Sequence, residues 1–274
     1  ISDVSLTSQL LKLLAKREAP VHFFNRFGFY VGSFYPRDTK PSGYLIVKQA
    51  EHYIDKGKRL YLAKAFIHGA IENLSYVYGI DGKEHLNRLS KAKSVEEVMS
   101  IEGDFRKKCY QRLEELTGFE FGNRTKRPPR NFLNALISFG NSLVYAKVLG
   151  EIYYTHLNPA ISYLHEPSTK RFSLSLDVSE IFKPLLSDDL IIKLAGKTLT
   201  EKHFENRSGL VYLNDEGKRI FISEFNNLLE KTIRYRKLKR NVSFRGLIRI
   251  ELYKLVKHLI GDEVYTPFIY RSVV

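Results

Sequence analysis

The sequence predicts an α+β fold, with a small N-terminal β domain (residues 1–45) followed by a large all-α domain (residues 46–274). Residues 21–32 place aromatic and β-branched side chains on both sides of an Asn-Arg-Phe-Gly turn, which is the pattern of a β-hairpin. Pro36 and the Pro41-Ser42-Gly43 cluster then interrupt the chain, and we place the domain boundary there. Beyond this boundary the apolar residues recur at three- and four-residue spacing, which indicates helices.

The predicted helices can be located from that spacing. Before the hairpin, a short helix carries an apolar stripe, and Thr7 or Ser5 can serve as its N-cap. The stripe consists of Leu6, Leu10, Leu11, Leu13 and Leu14. The long helices of the second domain are predicted at residues 58–78, 94–116, 131–155 and 221–234.

The chain is strongly basic, with 44 Lys and Arg residues against 30 Asp and Glu, a net charge of +14 and a pI of about 9.6. A surplus of this size favours a polyanionic partner, because binding to phosphates releases counterions and supplies affinity that does not depend on sequence. A protein from a lysine-rich proteome would show the same surplus without binding nucleic acid. Composition alone therefore leaves both interpretations open.

Two clusters concentrate this charge. Residues 231–258 contain ten Lys or Arg residues and a single acid, and Arg245 and Arg249 are the candidate phosphate contacts on that stretch. Just before a predicted helix lie Arg124, Lys126, Arg127 and Arg130. A Pro-Pro pair holds the backbone extended there and would present the last two arginines outward beside a helix N-terminus, a favourable place for an anion. Each cluster alone could be a solvated surface, whereas the two together predict a DNA-binding track.

The single cysteine, Cys109, excludes an internal disulfide and a cysteine-based zinc site, and it fits an intracellular, reducing compartment. No uninterrupted apolar run approaches the ~20 residues that a membrane helix needs, and no signal peptide is predicted at the start. We therefore expect a cytoplasmic protein. The chain begins at Ile1 and not at a methionine, so we also expect a preceding segment.

A candidate metal site lies in the stretch from His165 to Glu180. His165 ends an apolar run just before a proline, which places it at the mouth of a loop. Asp177 and Glu180 are three residues apart, so they share one face of a helix that starts near Ser175. Two carboxylates beside an imidazole suit Mg²⁺ or Mn²⁺, and the imidazole favours Mn²⁺. The spacing is also explained if Asp177 caps the helix and Glu180 pairs with Lys183.

Glu102 is a further acid, in an apolar and basic helical stretch between Met99 and Phe105. A carboxylate is costly in such surroundings unless it is paired or bound to a metal. Neither composition nor spacing brings Glu102 to His165, which lies 63 positions later (165 − 102).

Short motifs distributed over nearly the whole chain form a set that is specific in its order. In the first half these are residues 21–32 and 34–36, Lys48-Gln49-Ala50-Glu51, Ile101-Glu102-Gly103 and Arg127-Pro128-Pro129-Arg130-Asn131. In the second half they are residues 134–143, Leu157-Asn158-Pro159, Leu164-His165, residues 173–177 with Glu180, and Phe182-Lys183-Pro184. In this order they resemble the CRISPR-associated spacer-acquisition integrase, the adaptation nuclease of CRISPR systems.

The resemblance implies a site and a cofactor. Its four catalytic residues are Glu102, His165, Asp177 and Glu180. Glu102, His165 and Glu180 would coordinate Mn²⁺ or Mg²⁺, and Asp177 would line the same site. The resemblance also places residues 127–130 near bound DNA and matches Asn134 and Asn141 to polar positions of the helix beside the site.

The resemblance further implies a homodimer, formed through an N-terminal β-sandwich-like domain, and a small ferredoxin-like companion subunit. Family members have several strands before the position of Ile1, so residues 1–45 are expected to be a remnant of the complete β domain. Lys183 stands where arginine is commoner, which keeps the charge but loses bidentate geometry.

The implied reaction is strand transfer, in which a 3′-hydroxyl of a captured DNA fragment attacks a phosphodiester of the repeat array. Two other classes stay open. One is a metal-free DNA-binding scaffold in which Glu102, His165 and Glu180 form a buried ion-pair network. The other is a metal hydrolase of small substrates, which would show no steep salt dependence of DNA affinity.

Overall fold

The N-terminal part consists of one helix and one hairpin. The computed structural model describes residues 5–36, 42–126, 128–167 and 172–273. Helix α1 spans Ser8–Lys16, and strands β1 (Val21–Phe24) and β2 (Tyr30–Phe34) form an antiparallel pair. The Thr7 side chain accepts a hydrogen bond from the Leu10 amide and caps α1. The predicted helix and hairpin are therefore confirmed.

Helices make up most of the remaining chain. They are α2 (Gly43–Ile54), α3 (Lys56–Tyr78), α4 (Lys83–Lys91), α5 (Val95–Thr117), α6 (Phe132–Tyr153), α7 (Ser173–Lys183), α8 (Asp189–Leu194), α9 (Asp215–Glu230), α10 (Phe244–Leu259) and α11 (Tyr270–Val273). The Ser94 and Asn131 side chains cap α5 and α6 by accepting backbone hydrogen bonds. The helices predicted at residues 58–78, 94–116 and 131–155 are confirmed to within two residues at either end.

The helical part also contains two hairpins that the spacing did not predict. Strands β3 (Phe204–Arg207) and β4 (Leu210–Leu213) form one, and β5 (Thr232–Tyr235) and β6 (Arg240–Ser243) form the other. The helix predicted at residues 221–234 is therefore wrong at both ends, because α9 begins earlier and β5 follows it. The side chains of β5 alternate between exposed and buried, but four residues are too few for this period to outweigh the helical pattern before them.

Helix α6 lies at the centre of the core and packs against α7 and α10. In the part of the chain that the structure describes, it is the one helix long and apolar enough to span a membrane, with a mean hydropathy of 1.3 over its most apolar window. Because 72% of that window is buried inside the protein, its apolar character is explained by the core of this fold.

The N-terminal hairpin packs directly on the helical part. Gly28, at the tip of the hairpin, has a φ of +79°, and a Cβ added there would lie 2.3 Å from a ring carbon of Phe139 on α6. The Phe27 ring lies 4.4 Å from that of Tyr212 on β4. The buried Lys218 on α9 donates a hydrogen bond to the Arg26 carbonyl at 2.6 Å. These contacts fix the hairpin beside α6, β4 and α9.

Candidate active site

Two helices and one loop carry the residues predicted to form the site. Glu102 lies on α5, His165 lies in the segment between α6 and α7, and Asp177 and Glu180 lie on α7. The charge of Glu180 contributes to raising the pKa values of both Glu102 and His165. The fold therefore brings Glu102 and His165 to the same carboxylate, which the spacing in the sequence could not do.

Asp177 is fully buried, and its carboxylate accepts four hydrogen bonds. Oδ2 accepts from the amides of Tyr163 and Leu164 at 2.6 and 3.0 Å. Oδ1 accepts from the amide of His165 at 3.0 Å and lies 2.9 Å from Nδ1 of the same residue. Both oxygens of Asp177 are thus used by residues 163–165, and this carboxylate orients the imidazole of His165. Of the two carboxylates on α7, Glu180 is the one that remains to serve as a metal ligand.

The contact with Asp177 also selects a tautomer of His165. If Nδ1 carries the hydrogen that Oδ1 accepts, Nε2 keeps its lone pair, which is the arrangement found in carboxylate–histidine–metal sites. Burial lowers the pKa of His165, but its hydrogen bond with Asp177 and the nearby negative charges outweigh this effect, so the pKa is raised.

Glu180 is paired with two cations. Lys183 Nζ donates to Glu180 Oε1 at 2.5 Å, and Arg106 Nη2 lies 3.7 Å from Oε2. Burial opposes ionisation, but the charges of Lys183 and Arg106 outweigh burial and lower the pKa of Glu180. Glu180 is therefore ionised in a site that is almost closed to solvent.

Arg106 connects Glu180 to two further acids. Its Nε lies 3.3 Å from Glu102 Oε1, and its Nη1 donates to Asp188 Oδ2 at 2.5 Å. Burial, followed by the charge of Glu180, raises the pKa of Glu102. We call Glu102, Glu180 and Asp188 the acid cluster, with Arg106 at its centre.

Arg106 contacts all three acids of the cluster, and Lys183 pairs with Glu180, as the ion-pair interpretation anticipated for Glu180. In the described part of the chain, no three His, Cys, Asp or Glu side chains are arranged to hold a metal ion as they stand. The chemistry of the donors nonetheless fits a divalent cation, because two mutually repelling carboxylates lie near an imidazole that Asp177 holds by Nδ1.

The four predicted DNA-binding residues that precede α6 fall into three groups. Lys126 and Arg130 are exposed, and Arg130 directly precedes the cap of α6. Arg124 is turned inward, where it donates to Asn134 and Ser138 of α6. Arg127 lies outside the described residues.

The two candidates on α10 both have acidic partners. Arg245 is exposed and pairs with Glu230. Arg249 donates from Nε to the buried Glu151 at 2.8 Å, and its guanidinium lies over the Tyr154 ring. Arg249 is therefore held by α6, whereas Arg245 keeps an exposed charge.

Comparison with known proteins decides the family. The family model of CRISPR associated protein Cas1 matches residues 1–227. This chain belongs to the Cas1 family. A curated relative, the CRISPR-associated endonuclease Cas1 2 of Moorella thermoacetica, is 49% identical over 277 residues, covering 97% of this chain and 86% of the relative. The resemblance inferred from the sequence motifs is confirmed.

The fold agrees with solved Cas1 structures. A CAS1 protein from Thermotoga maritima matches with a TM-score of 0.88 at 42% identity, covering 97% of this chain and 86% of that chain. A casposase bound to integration product also has a TM-score of 0.88, at 23% identity, covering 97% of this chain and 78% of that chain. The first match confirms the α+β class of this Cas1 chain, and the second shows a shared fold.

Sequence reasoning missed two members of the site of this Cas1 chain. Arg106 follows Glu102 by four residues on α5, so helical spacing alone could have paired them. Asp188 could not be found in this way, because it lies 82 positions after Arg106, in the π-helical segment Pro184–Asp188 that follows α7.

Proposed function

We propose that this protein is a divalent-metal-dependent DNA endonuclease and integrase. It inserts fragments of foreign DNA into a CRISPR repeat array by phosphodiester strand transfer, as part of antiviral defence. Membership of a family of CRISPR-associated endonucleases supports the reaction class. The observation that carries the site is the imidazole of His165, held by Asp177 on α7 one turn before Glu180, whose partner Arg106 also contacts Glu102.

Glu102, His165 and Glu180 would hold the cofactor, Mn²⁺ or Mg²⁺. Such an ion, when bound, polarises a phosphoryl oxygen and stabilises the leaving alkoxide. Asp177 keeps His165 in the tautomer that a ligand needs. Since a ligand must be neutral, His165 does not donate a proton to the leaving oxygen in the same step.

The remaining residues balance charge and hold DNA. Arg106 and Lys183 keep Glu180 ionised in a buried place, so its carboxylate is ready to bind a cation. The exposed Lys126 and Arg130 bind phosphates and help to hold the attacking 3′-hydroxyl in line with the phosphodiester. With water as the nucleophile, the same site cleaves DNA.

The proposal extends to partners and location. The substrate is double-stranded and branched DNA, and the working form is a homodimer paired through the N-terminal domain, residues 1–45. A small ferredoxin-like adaptation subunit assists it in the prokaryotic cytoplasm. These assignments follow the family resemblance.

The test compares Glu102→Ala, His165→Ala and Glu180→Ala on branched and repeat-containing DNA with added Mn²⁺ or Mg²⁺. We expect all three variants to lose turnover while they keep their affinity for the DNA, and we expect a chelator to have the same effect on the unmodified protein. Glu115→Ala is a matched control, because Glu115 is an exposed acid on the same helix. Unchanged turnover in all three variants would overturn the proposal.

A metal-free DNA-binding scaffold is the second candidate. It is favoured by the pairing of Glu102 and Glu180 with Arg106 and Lys183. A scaffold would bind DNA without any turnover and without any response to metal. A hydrolase of small substrates is separated from both candidates by the salt dependence of DNA affinity, which it would lack.

A further inference from the structure

Between α5 and α6, residues 121–126 and 128–131 carry Arg124, Lys126 and Arg130 of one predicted DNA-binding cluster. We call these residues the basic loop. Lys126 and Arg130 on it are exposed, whereas Arg124 is partly buried against α6. Arginines only six residues apart in one cluster therefore have different surroundings, and this difference points to different roles.

The Arg124 guanidinium is occupied by protein acceptors. Nη1 donates to Asn134 Oδ1 at 2.8 Å and to the Thr125 carbonyl, and Nη2 donates to Ser138 Oγ at 3.1 Å. Burial lowers the pKa of Arg124, although Tyr110 of α5 partly offsets this by favouring the charged form. The charged head is thus placed where its donors are used inside the fold.

Asn134 continues the same clamp on the other side. Its side chain is fully buried, its Oδ1 also accepts from the Thr125 amide at 2.9 Å, and its Nδ2 donates to the Asn123 carbonyl at 2.9 Å. The Thr125 hydroxyl in turn accepts from the Arg130 amide at 3.0 Å. Arg124 and Asn134 together therefore fix the backbone from Asn123 to Thr125, and Thr125 fixes the backbone at Arg130.

We propose that Arg124 is a positioning residue that holds the basic loop so that Lys126 and Arg130 face DNA phosphates, and that Arg124 itself does not contact the DNA. This inference rests on the proposed DNA-binding function. Three of the five N–H donors of Arg124 are used on Asn134, Ser138 and the Thr125 carbonyl, and turning the guanidinium toward a phosphate would break these bonds. The Thr125 carbonyl would then lose its charged donor, and the loop would lose part of the clamp that presents Lys126 and Arg130.

The test is a double-mutant cycle on the full chain, with a short fluorescently labelled DNA duplex as the probe. One arm is Arg124→Gln, the other is the pair Lys126→Ala and Arg130→Ala, and the cycle is closed by the triple variant. We expect Arg124→Gln to weaken binding about tenfold, because the loop no longer presents its cations. In the unmodified protein, we expect the pair Lys126→Ala and Arg130→Ala to lower the slope of log affinity against log salt by about 1.8. We expect the same pair to lower this salt slope by much less when Arg124→Gln is already present.

Hydrogen exchange supplies a readout that loss of one phosphate contact would not change. We expect the amides of Thr125 and Arg130 to exchange faster in Arg124→Gln without DNA, because both lie in the clamp. Arg112→Gln is the matched control, since it removes an equal charge from an exposed site on α5. Ser138→Ala removes one acceptor from Arg124 and should shift exchange in the same direction by less; it also serves if Arg124→Gln fails to fold.

If the affinity loss of the triple variant equals the product of the losses of Arg124→Gln and of the loop pair, and amide exchange in the loop is unchanged, the inference is overturned and Arg124 is a direct contact. Unchanged binding and exchange in Arg124→Gln would overturn it as well. If the unmodified protein does not bind the duplex, the proposed function fails together with the inference, whereas multiplying losses leave the proposed function intact.

Discussion

The acid cluster and the basic loop use charge in opposite ways. In the acid cluster, Glu180 and Asp188 are almost fully buried and both are paired with Arg106. In the basic loop, Lys126 and Arg130 are exposed. A buried charge without a partner is far more costly than an exposed one, so the first region had to acquire its counter-charges from within the chain. The second region keeps its cations in solvent, where the proposed DNA partner would meet them.

Arginine illustrates the difference most clearly. Arg106 and Arg124 are turned inward and use their donors on the protein, whereas Arg130 has an exposed side chain. Residue type therefore does not distinguish an arginine that supports the fold from one that binds phosphate. Burial and hydrogen-bond partners do, and each of the following predictions tests that distinction.

The largest effect is expected from Arg106→Gln. Removal of this guanidinium leaves Asp188 buried without a cation, so we expect the free energy of unfolding to fall by about 3–5 kcal/mol in denaturant titrations. Arg112→Gln breaks an exposed pair and should change it by less than about 1 kcal/mol. Combining Arg106→Gln with Asp188→Asn should recover part of the loss. A loss below about 1 kcal/mol for Arg106→Gln alone would mean that the pair is not effectively buried.

Asp177→Asn is expected to lower turnover on DNA about 10–100-fold with Mn²⁺. An asparagine keeps one acceptor oxygen, so it cannot accept all three hydrogen bonds that backbone amides now donate to the Asp177 carboxylate. His165 therefore loses its orientation. Asp189→Asn, at a more exposed acid on α8, is the control and should leave turnover unchanged. Equal turnover in the two variants would show that the imidazole needs no such support.

Two histidines extend the comparison to pH. His165 has a carboxylate partner and a raised pKa, whereas burial and the charge of Lys147 lower the pKa of His22 from 6.5 to about 4. Between pH 4 and pH 6.5 the unfolded chain binds more protons at His22 than the folded chain does. The stability that neutral His22 contributes is therefore complete above pH 6.5 and is lost as the pH falls toward 4.

We expect this loss to amount to about 1–2 kcal/mol, because His22 is only partly buried. Unfolding free energies measured across this range should rise with pH in the unmodified protein and rise less steeply in His22→Gln. Parallel curves for the two proteins would place the pH dependence elsewhere.

The smallest effects are expected on the exposed cations. Lys126→Ala and Arg130→Ala should each lower the slope of log affinity against log salt by about 0.9, because each releases one counterion fewer on binding DNA. Arg249→Ala removes one of the two cations that contact the buried Glu151, the other being Lys147, so it should lower the free energy of unfolding and leave the salt slope nearly unchanged. If Arg249→Ala reduced the salt slope and Arg130→Ala left it unchanged, Arg249 would be the phosphate contact and Arg130 would not.

The sequence was sufficient wherever the cause was local. The Asn-Arg-Phe-Gly turn, the cap Thr7, and the periodicity of α3, α5 and α6 each depend on residues a few positions apart. It failed at β5 and β6, because strands of four residues owe their stability to pairing and burial. The family could be recognised because its motifs are short, ordered and spread over the chain.

By itself, then, the sequence determined the helices near residues 58–78, 94–116 and 131–155, the N-terminal hairpin, the basic surplus and the family. Only the tertiary structure decided which charges face each other. Both oxygens of Asp177 accept from residues 163–165, and Arg106 joins Glu102, Glu180 and Asp188. Arg124 donates to Asn134 and Ser138, whereas Lys126 and Arg130 are exposed. The physical reason is that desolvation and counter-charge depend on distance in space, and residues such as Arg106 and Asp188 are separated by 82 positions in the chain.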